Sequence, residues 1–349
     1  MTISKADNMA LRGLSIIFIV LHNVLHILCP VKENEFYFSR QNVDTFLRLF
    51  PEAPFDYSLS FFGWLGVSVF IFLSGYGLSA KYQRKKYLSF SWLKNHYLKL
   101  FLLLLPGLFF YVFFLDGGFS IASIKFFVRE QSLLLNLIHP ENIRPGIYWY
   151  VGLAFQFYAC FMILNKLNSK ALLFIFLLSS LILAFSPDNP LFYMRHNFPG
   201  WLPEFIFGML FFRIRDLKIS ITYRISISFI SLLLIFVTSL FRPSFFLAGL
   251  FFVLFCLNFK DIICNSRVLQ WLGGISAGLY VIHAVIRGVW FKYGQEMVVV
   301  SPMAASLIVL AFSVLFAIPY MFYYKNICNW LLTRFDYGKR KENQCCQDP

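Results

Sequence analysis

The feature that most limits how this chain can fold is a recurring one: apolar stretches of about 20 residues, parted by short charged segments. A bilayer core of about 30 Å takes about 20 mostly apolar helical residues to cross. Ten windows meet that pattern, at 11–30, 59–80, 97–116, 147–165, 170–187, 200–213, 225–242, 244–260, 268–290 and 302–324. Only 14% of the residues are charged and 59% are hydrophobic, whereas a soluble domain carries about 25% charge. The expected fold class is therefore all-α, a polytopic transmembrane bundle of about ten spans. Residues 1–325 form the membrane domain and 326–349 a basic tail.

Net charge is +14, which in a soluble protein would suggest nucleic acid as a partner. With an inside N-terminus, about two thirds of the 31 Lys and Arg residues fall on inner segments. This is the positive-inside bias, and it accounts for the charge without any nucleic acid. Both termini are expected in the cytoplasm, and the location is a cell membrane, the bacterial inner membrane. The densest inner cluster is Arg84, Lys85, Lys86, Lys94, His96 and Lys99. It reads either as a topology signal or as a seat for polyphosphate.

Of seven cysteines, only Cys29 lies near the outer face, so reduced thiols rather than a disulfide framework are expected. The first window ends in Cys29-Pro30 without a small-residue cleavage pattern, so it is expected to stay as a span rather than serve as a signal peptide. The sizeable loops are 31–58, of mixed charge, and 117–146, whose "FSIASIKFFVREQSLLLNLIHP" suits a helix lying on the membrane surface. The tail could lie along anionic lipid or be disordered.

An ionisable side chain inside a span is costly and marks a candidate site. Five qualify: His22, His26, Glu204, His283 and Arg287. Arg12 and His22 share the first window, about 15 Å apart along a helix axis. A guanidinium suits phosphate or carboxylate, and an imidazole can take and return a proton near neutral pH. Arg12 could instead be a topology anchor and His22 a packing residue.

The second window holds Gly63, Gly66, Gly75, Gly77, Ser68, Ser74 and Ser79, small residues that allow close helix packing or make room for a ligand. Trp149 and Tyr150 suit an interfacial belt, while Gln156 lies deeper and needs a partner. Glu204, near a window boundary, could snorkel to water. Ser276, Tyr280 and His283 share one helical ridge. Soluble-enzyme signatures such as G-x-S-x-G, the P-loop and H-E-x-x-H are missing from the sequence. The His22/His26 pair has no acidic residue close by in sequence, so no metal is expected there.

Five stretches, in order, resemble the membrane-bound acyltransferase-3 family: "RGLSIIFIVLH", "GWLGVSVFIFLSGYGLS", "YWYVGLAFQFY", "FPGWLPEFIFGML" and "LGGISAGLYVIH". The likeness runs from about residue 5 to 325. It implies an integral membrane O-acyltransferase that moves an acyl group, most simply acetyl, from cytoplasmic acetyl-CoA to a hydroxyl of a cell-surface or lipid-linked glycan. It implies that Arg12 and His22 serve the donor and that Lys94 or Lys99 contacts its phosphates. It also sets Ser74, Trp149, Gln156, Tyr158, Glu204, Ser276, Tyr280 and His283 along the reaction path.

The sequence departs from the family pattern twice. Nine residues, rather than ten, part Arg12 from His22, which turns His22 about 80° from Arg12's face and leaves His26 about 40° off it. The helix is then locally rewound or π-bulged, or His26 shares the role. Ser68 stands where relatives often carry an acid. A transporter or flippase of a lipid-linked sugar is the rival reading, since buried ionisable residues suit alternating access. The chain shows no inverted repeat.

Overall fold

The computed structural model describes residues 2–82, 88–118, 120–215, 220–294 and 301–345, with side chains through Leu331. Arg84, Lys85, Lys86, Lys218 and Cys346 lie outside the described residues. Every regular element among the described residues is helical.

Each of the ten expected windows contains one main helix, although the 59–80 window is interrupted by a turn at Gly63-Trp64. The main helices are α1 (Lys5–Leu28), α4 (Leu65–Tyr82), α5 (Phe90–Leu115), α8 (Trp149–Leu164), α9 (Ser169–Phe185), α11 (Leu202–Arg213), α12 (Ile221–Ser239), α13 (Leu247–Asn258), α15 (Arg267–Val289) and α16 (Pro302–Cys345). Shorter helices fill the connections: α2 (Arg40–Leu49), α3 (Pro54–Phe62), α6 (Ile121–Gln131), α7 (Leu135–Ile138), α10 (Asp188–Arg195) and α14 (Lys260–Ile263). Among the described residues, seven helical segments are long and apolar enough to cross a membrane. Those at the α9, α11 and α13 windows fall short, at 17, 12 and 12 residues. At 1.5 Å per residue, 12 residues cover about 18 Å of a core of about 30 Å. A 3₁₀ turn at Phe198–Trp201 takes up the start of the α11 window, and α16 continues unbroken past 324 to Cys345.

Local sequence sets the helix starts. Ser4 caps α1 and exchanges hydrogen bonds with Asp7, while Ser89, Ser120, Asn168, Ser220 and Ser266 cap α5, α6, α9, α12 and α15. Each satisfies a backbone N–H that the first helical turn leaves free. α9, α12 and α16 show broad apolar faces outward, with Phe174, Leu177, Phe229, Leu233, Leu315 and Phe322 exposed. Water would penalise such faces, but lipid does not.

α1 lies at the centre, packed against α15 most extensively and against α4, α16 and α3. Glycine makes the closest approaches possible. A Cβ on Gly13 would stand 1.9 Å from Leu269 O, and one on Gly273 would stand 1.8 Å from Met9 O. α4 and α11 meet through the same reciprocal device: Gly75 lies against Phe205 O and Gly208 against Phe72 O, each at 2.1 Å from a built Cβ.

Contacts between connections group the ends of the bundle. Lys260 reaches Thr2 O and Asp7, Arg224 reaches Asp261, Arg213 reaches Leu167 O, and Tyr324 hydroxyl reaches Lys99 O. At the opposite end, Arg242 reaches Asp188, Lys292 reaches Phe114 O, and Arg195 reaches Glu35 O.

Candidate functional site

Of the residues singled out from the sequence, one group converges on an internal cavity. Arg12 from α1, Ser74 from α4, Tyr150 and Tyr158 from α8, and Ser276 and Tyr280 from α15 line a space of about 160 Å³. Arg12 Nε is buried there without a hydrogen-bond partner. Ordinary small-molecule sites run to about 300–1,000 Å³, so this cavity fits the small reacting end of a ligand rather than a whole nucleotide. His96, on α5, packs its ring 4.4 Å from that of Tyr158. Lys94 is exposed and Lys99 half-buried on the same helix, and neither lines the cavity.

A second group gathers at the far end of α1. This helix is regular throughout, without a π-bulge, and His22 and His26 lie one turn apart with ring centroids 5.1 Å from each other. The chain then leaves α1 at Cys29-Pro30 and folds back, carrying Glu33 to the pair. Ligand-capable atoms of His22, His26 and Glu33 all lie within 4.8 Å of one another. The expectation that no acidic residue stands near the histidines therefore fails. Seven residues of sequence hide a contact made by a chain reversal.

His22 Nδ1 is 3.2 Å from Leu59 O. A carbonyl can only accept, so Nδ1 carries the proton and Nε2 keeps its lone pair in the neutral ring. Gly63 makes room for this ring, since a Cβ there would stand 2.5 Å from His22 Cβ. Lys32, the nearest cation in sequence, spends its ammonium group on the carbonyls of His26 and Cys29 at the end of α1. Burial pulls the Glu33 carboxyl upward, but the imidazoles of His26 and His22 outweigh it and leave the group below the usual carboxylate range. Glu33 is thus an anion at neutral pH. Two imidazoles and a carboxylate are also a competent donor set for a divalent ion, provided they draw in to about 2.0–2.2 Å from it.

Asn23 joins this end to α15. Its amide donates to Ile19 O at 2.8 Å and to His283 Nε2 at 3.4 Å, while Arg287 donates to Asn23 O at 3.0 Å and to Asn23 Oδ1 at 3.3 Å. The Tyr280 ring, on the cavity wall, lies 5.6 Å from that of His283. A continuous line of contacts therefore runs from the Arg12 cavity through Tyr280, His283 and Asn23 to the residue beside His22.

Three singled-out residues stand apart, in a packing cluster. Gln156 donates to Asn197 Oδ1 at 2.8 Å and accepts from the Phe198 N–H at 2.9 Å, which ties α8 to the turn before α11. Trp149 stacks on Trp201 with centroids 5.6 Å apart. Glu204 does not snorkel to water: it is fully buried, 3.8 Å from an equally buried Arg195. Arg195 holds it because it is itself fixed, donating to Glu35 O and Gly200 O and lying 3.6 Å over the Trp201 ring. A Cβ on Gly249 would meet both Ser68 Oγ and Glu204 Oε1. Glu204, from α11, therefore lies beside Ser68.

Seven helical segments able to cross a bilayer, around a buried polar line, define a multi-pass membrane protein. The family described as "Acyltransferase domain", acyltransferase-3, matches residues 9–323, and the chain belongs to it. That membership brings acyltransferase activity in general. No curated protein and no solved structure matches.

Proposed function

We propose that this protein is an integral membrane O-acyltransferase that moves an acetyl group from cytoplasmic acetyl-CoA to a hydroxyl of a cell-surface or lipid-linked glycan. It crosses the membrane ten times with both termini in the cytoplasm, the short α9, α11 and α13 included. The observation that carries the reading is the His22–His26–Glu33 group, with His22 Nδ1 turned to Leu59 O and a carboxylate within 4.8 Å of the pair. In this arrangement His22 removes the proton of the acceptor hydroxyl, the oxygen attacks the thioester carbonyl, and the coenzyme A thiolate departs to be protonated. Glu33 steadies the imidazolium that forms. Arg12, about 15 Å away along α1, binds the donor from the basic end, with Lys94 and Lys99 available to its phosphates. Base chemistry of this kind needs no metal.

A positioned general base contributes roughly 10²–10⁴-fold in rate. In proteoliposomes supplied with labelled acetyl-CoA and a membrane glycan fraction, His22→Ala is expected to lose at least 100-fold in transfer. Arg12→Ala is expected to raise the KM for acetyl-CoA, and a chelator is expected to leave the wild-type rate unchanged. Full transfer by both variants would sink the assignment.

A further inference from the structure

Where α1, α5 and α15 approach one another beyond Asn23, the structure holds another cavity, of about 440 Å³, whose wall includes Ile27, Tyr111, Arg144, Ala284, Arg287 and Phe291. Ile27 follows His26, and Arg287 is hydrogen-bonded to Asn23, the neighbour of His22. The cavity therefore borders the end of α1 that carries the two histidines, although neither histidine forms part of its wall. Its volume lies in the range of a site for a sugar-sized ligand.

Its charge is what needs explaining. Arg287 is half-buried in a spanning helix, where a guanidinium is ordinarily paired. Among the described residues, neither Arg287 nor Arg144 has a carboxylate in an ion pair. Arg287 donates instead to the backbone and side-chain oxygens of Asn23, both uncharged. Glu130, close to Arg144, accepts that residue's backbone N–H at 3.1 Å. Two planar, permanently charged forks thus face one cavity, neither in an ion pair among the described residues, a geometry suited to phosphate or carboxylate.

We propose that this cavity is the acceptor site and that the acceptor is anionic, a saccharide with a phosphate or carboxylate group near the hydroxyl that is acylated. The proposal rests on the acyltransferase reading and deepens it. Arg287 and Arg144 hold the anion and thereby turn a neighbouring hydroxyl toward His22 and His26.

The test uses the full chain in detergent micelles saturated with coenzyme A, so that the donor site is filled. Calorimetry compares glucose 6-phosphate, glucuronic acid and glucose. At least one anionic sugar is expected to bind measurably more tightly than glucose. Arg287→Gln is expected to weaken that binding by about tenfold or more, the usual worth of a hydrogen bond to a charged group, and Arg287→Lys to restore part of it. Binding no tighter than that of glucose, or unchanged in a folded Arg287→Gln protein, overturns the proposal. Anion binding at Arg287 without acetyl transfer would keep this site and remove the reaction instead.

Discussion

Replacing Glu33 by Gln removes one negative charge from the histidine pair and keeps the size of the side chain. The ligand atoms of the three residues lie within 4.8 Å of one another. At that separation, two unit charges at an effective dielectric constant near 20 interact by about 3.5 kcal/mol. Glu33 is half-buried rather than sealed, so solvent screening brings the figure to roughly 1–3 kcal/mol. The charge on the imidazole exists fully only once the hydroxyl proton has been taken. The loss therefore falls on the rate and not on donor binding, as about a 5- to 150-fold drop in kcat. Glu33→Asp keeps the charge one methylene further back and should recover part of it. The assay is acetyl transfer in proteoliposomes under saturating acetyl-CoA, with the KM for acetyl-CoA as internal control because Arg12 lies at the other end of α1. A folded Glu33→Gln protein working within twofold of the wild type would refute the role of the carboxylate.

Two further outcomes concern stability. Gly13→Leu, at the α1–α15 crossing where a Cβ alone would meet Leu269 O at 1.9 Å, should cost at least about 1–3 kcal/mol and show as a lower melting temperature in micelles. A melting temperature equal to wild type would mean the helices do not meet there. Glu35 is fully buried near Glu33, and burial raises its carboxyl to about 8. A raised acid favours the folded state while protonated, so its contribution is complete below about pH 4.5 and shrinks as pH climbs toward 8. Glu35→Gln should flatten the decline in melting temperature between those values, and an unaltered slope would remove Glu35 as its source.

Much of the bundle is legible in the sequence because a bilayer imposes one length and one polarity on each helix. The glycines of the second window illustrate this: Gly63, Gly66 and Gly75 each face a neighbour too close for a side chain, while Gly77 faces open space. The grouping of Arg12, Ser74, Tyr158, Ser276 and Tyr280 around one cavity also follows the motifs. Glu33 is not legible in this way, since nothing in an irregular loop announces that it doubles back on the helix it has just left. For Glu204 the snorkelling alternative fails for a related reason. Its proximity to a span end suggests water, yet its surroundings are set by Arg195, which belongs to a different connection. Gln156 needed a partner from the start, and the structure finds it in a turn 41 residues onward rather than in a ligand.

The bond between Asn23 and His283 spans 260 residues. Ribosomes add about 5–20 residues each second, so the first helix waits roughly 10–50 s in the bilayer before the partner of its central amide is made. His22 gains Leu59 O 37 residues on and the histidine pair gains Glu33 sooner still, but through that interval Asn23 has only Ile19 O of its own helix. A chain cut short before α15 would leave Asn23 without His283 and Arg287, the contacts that tie the first span to the ninth window.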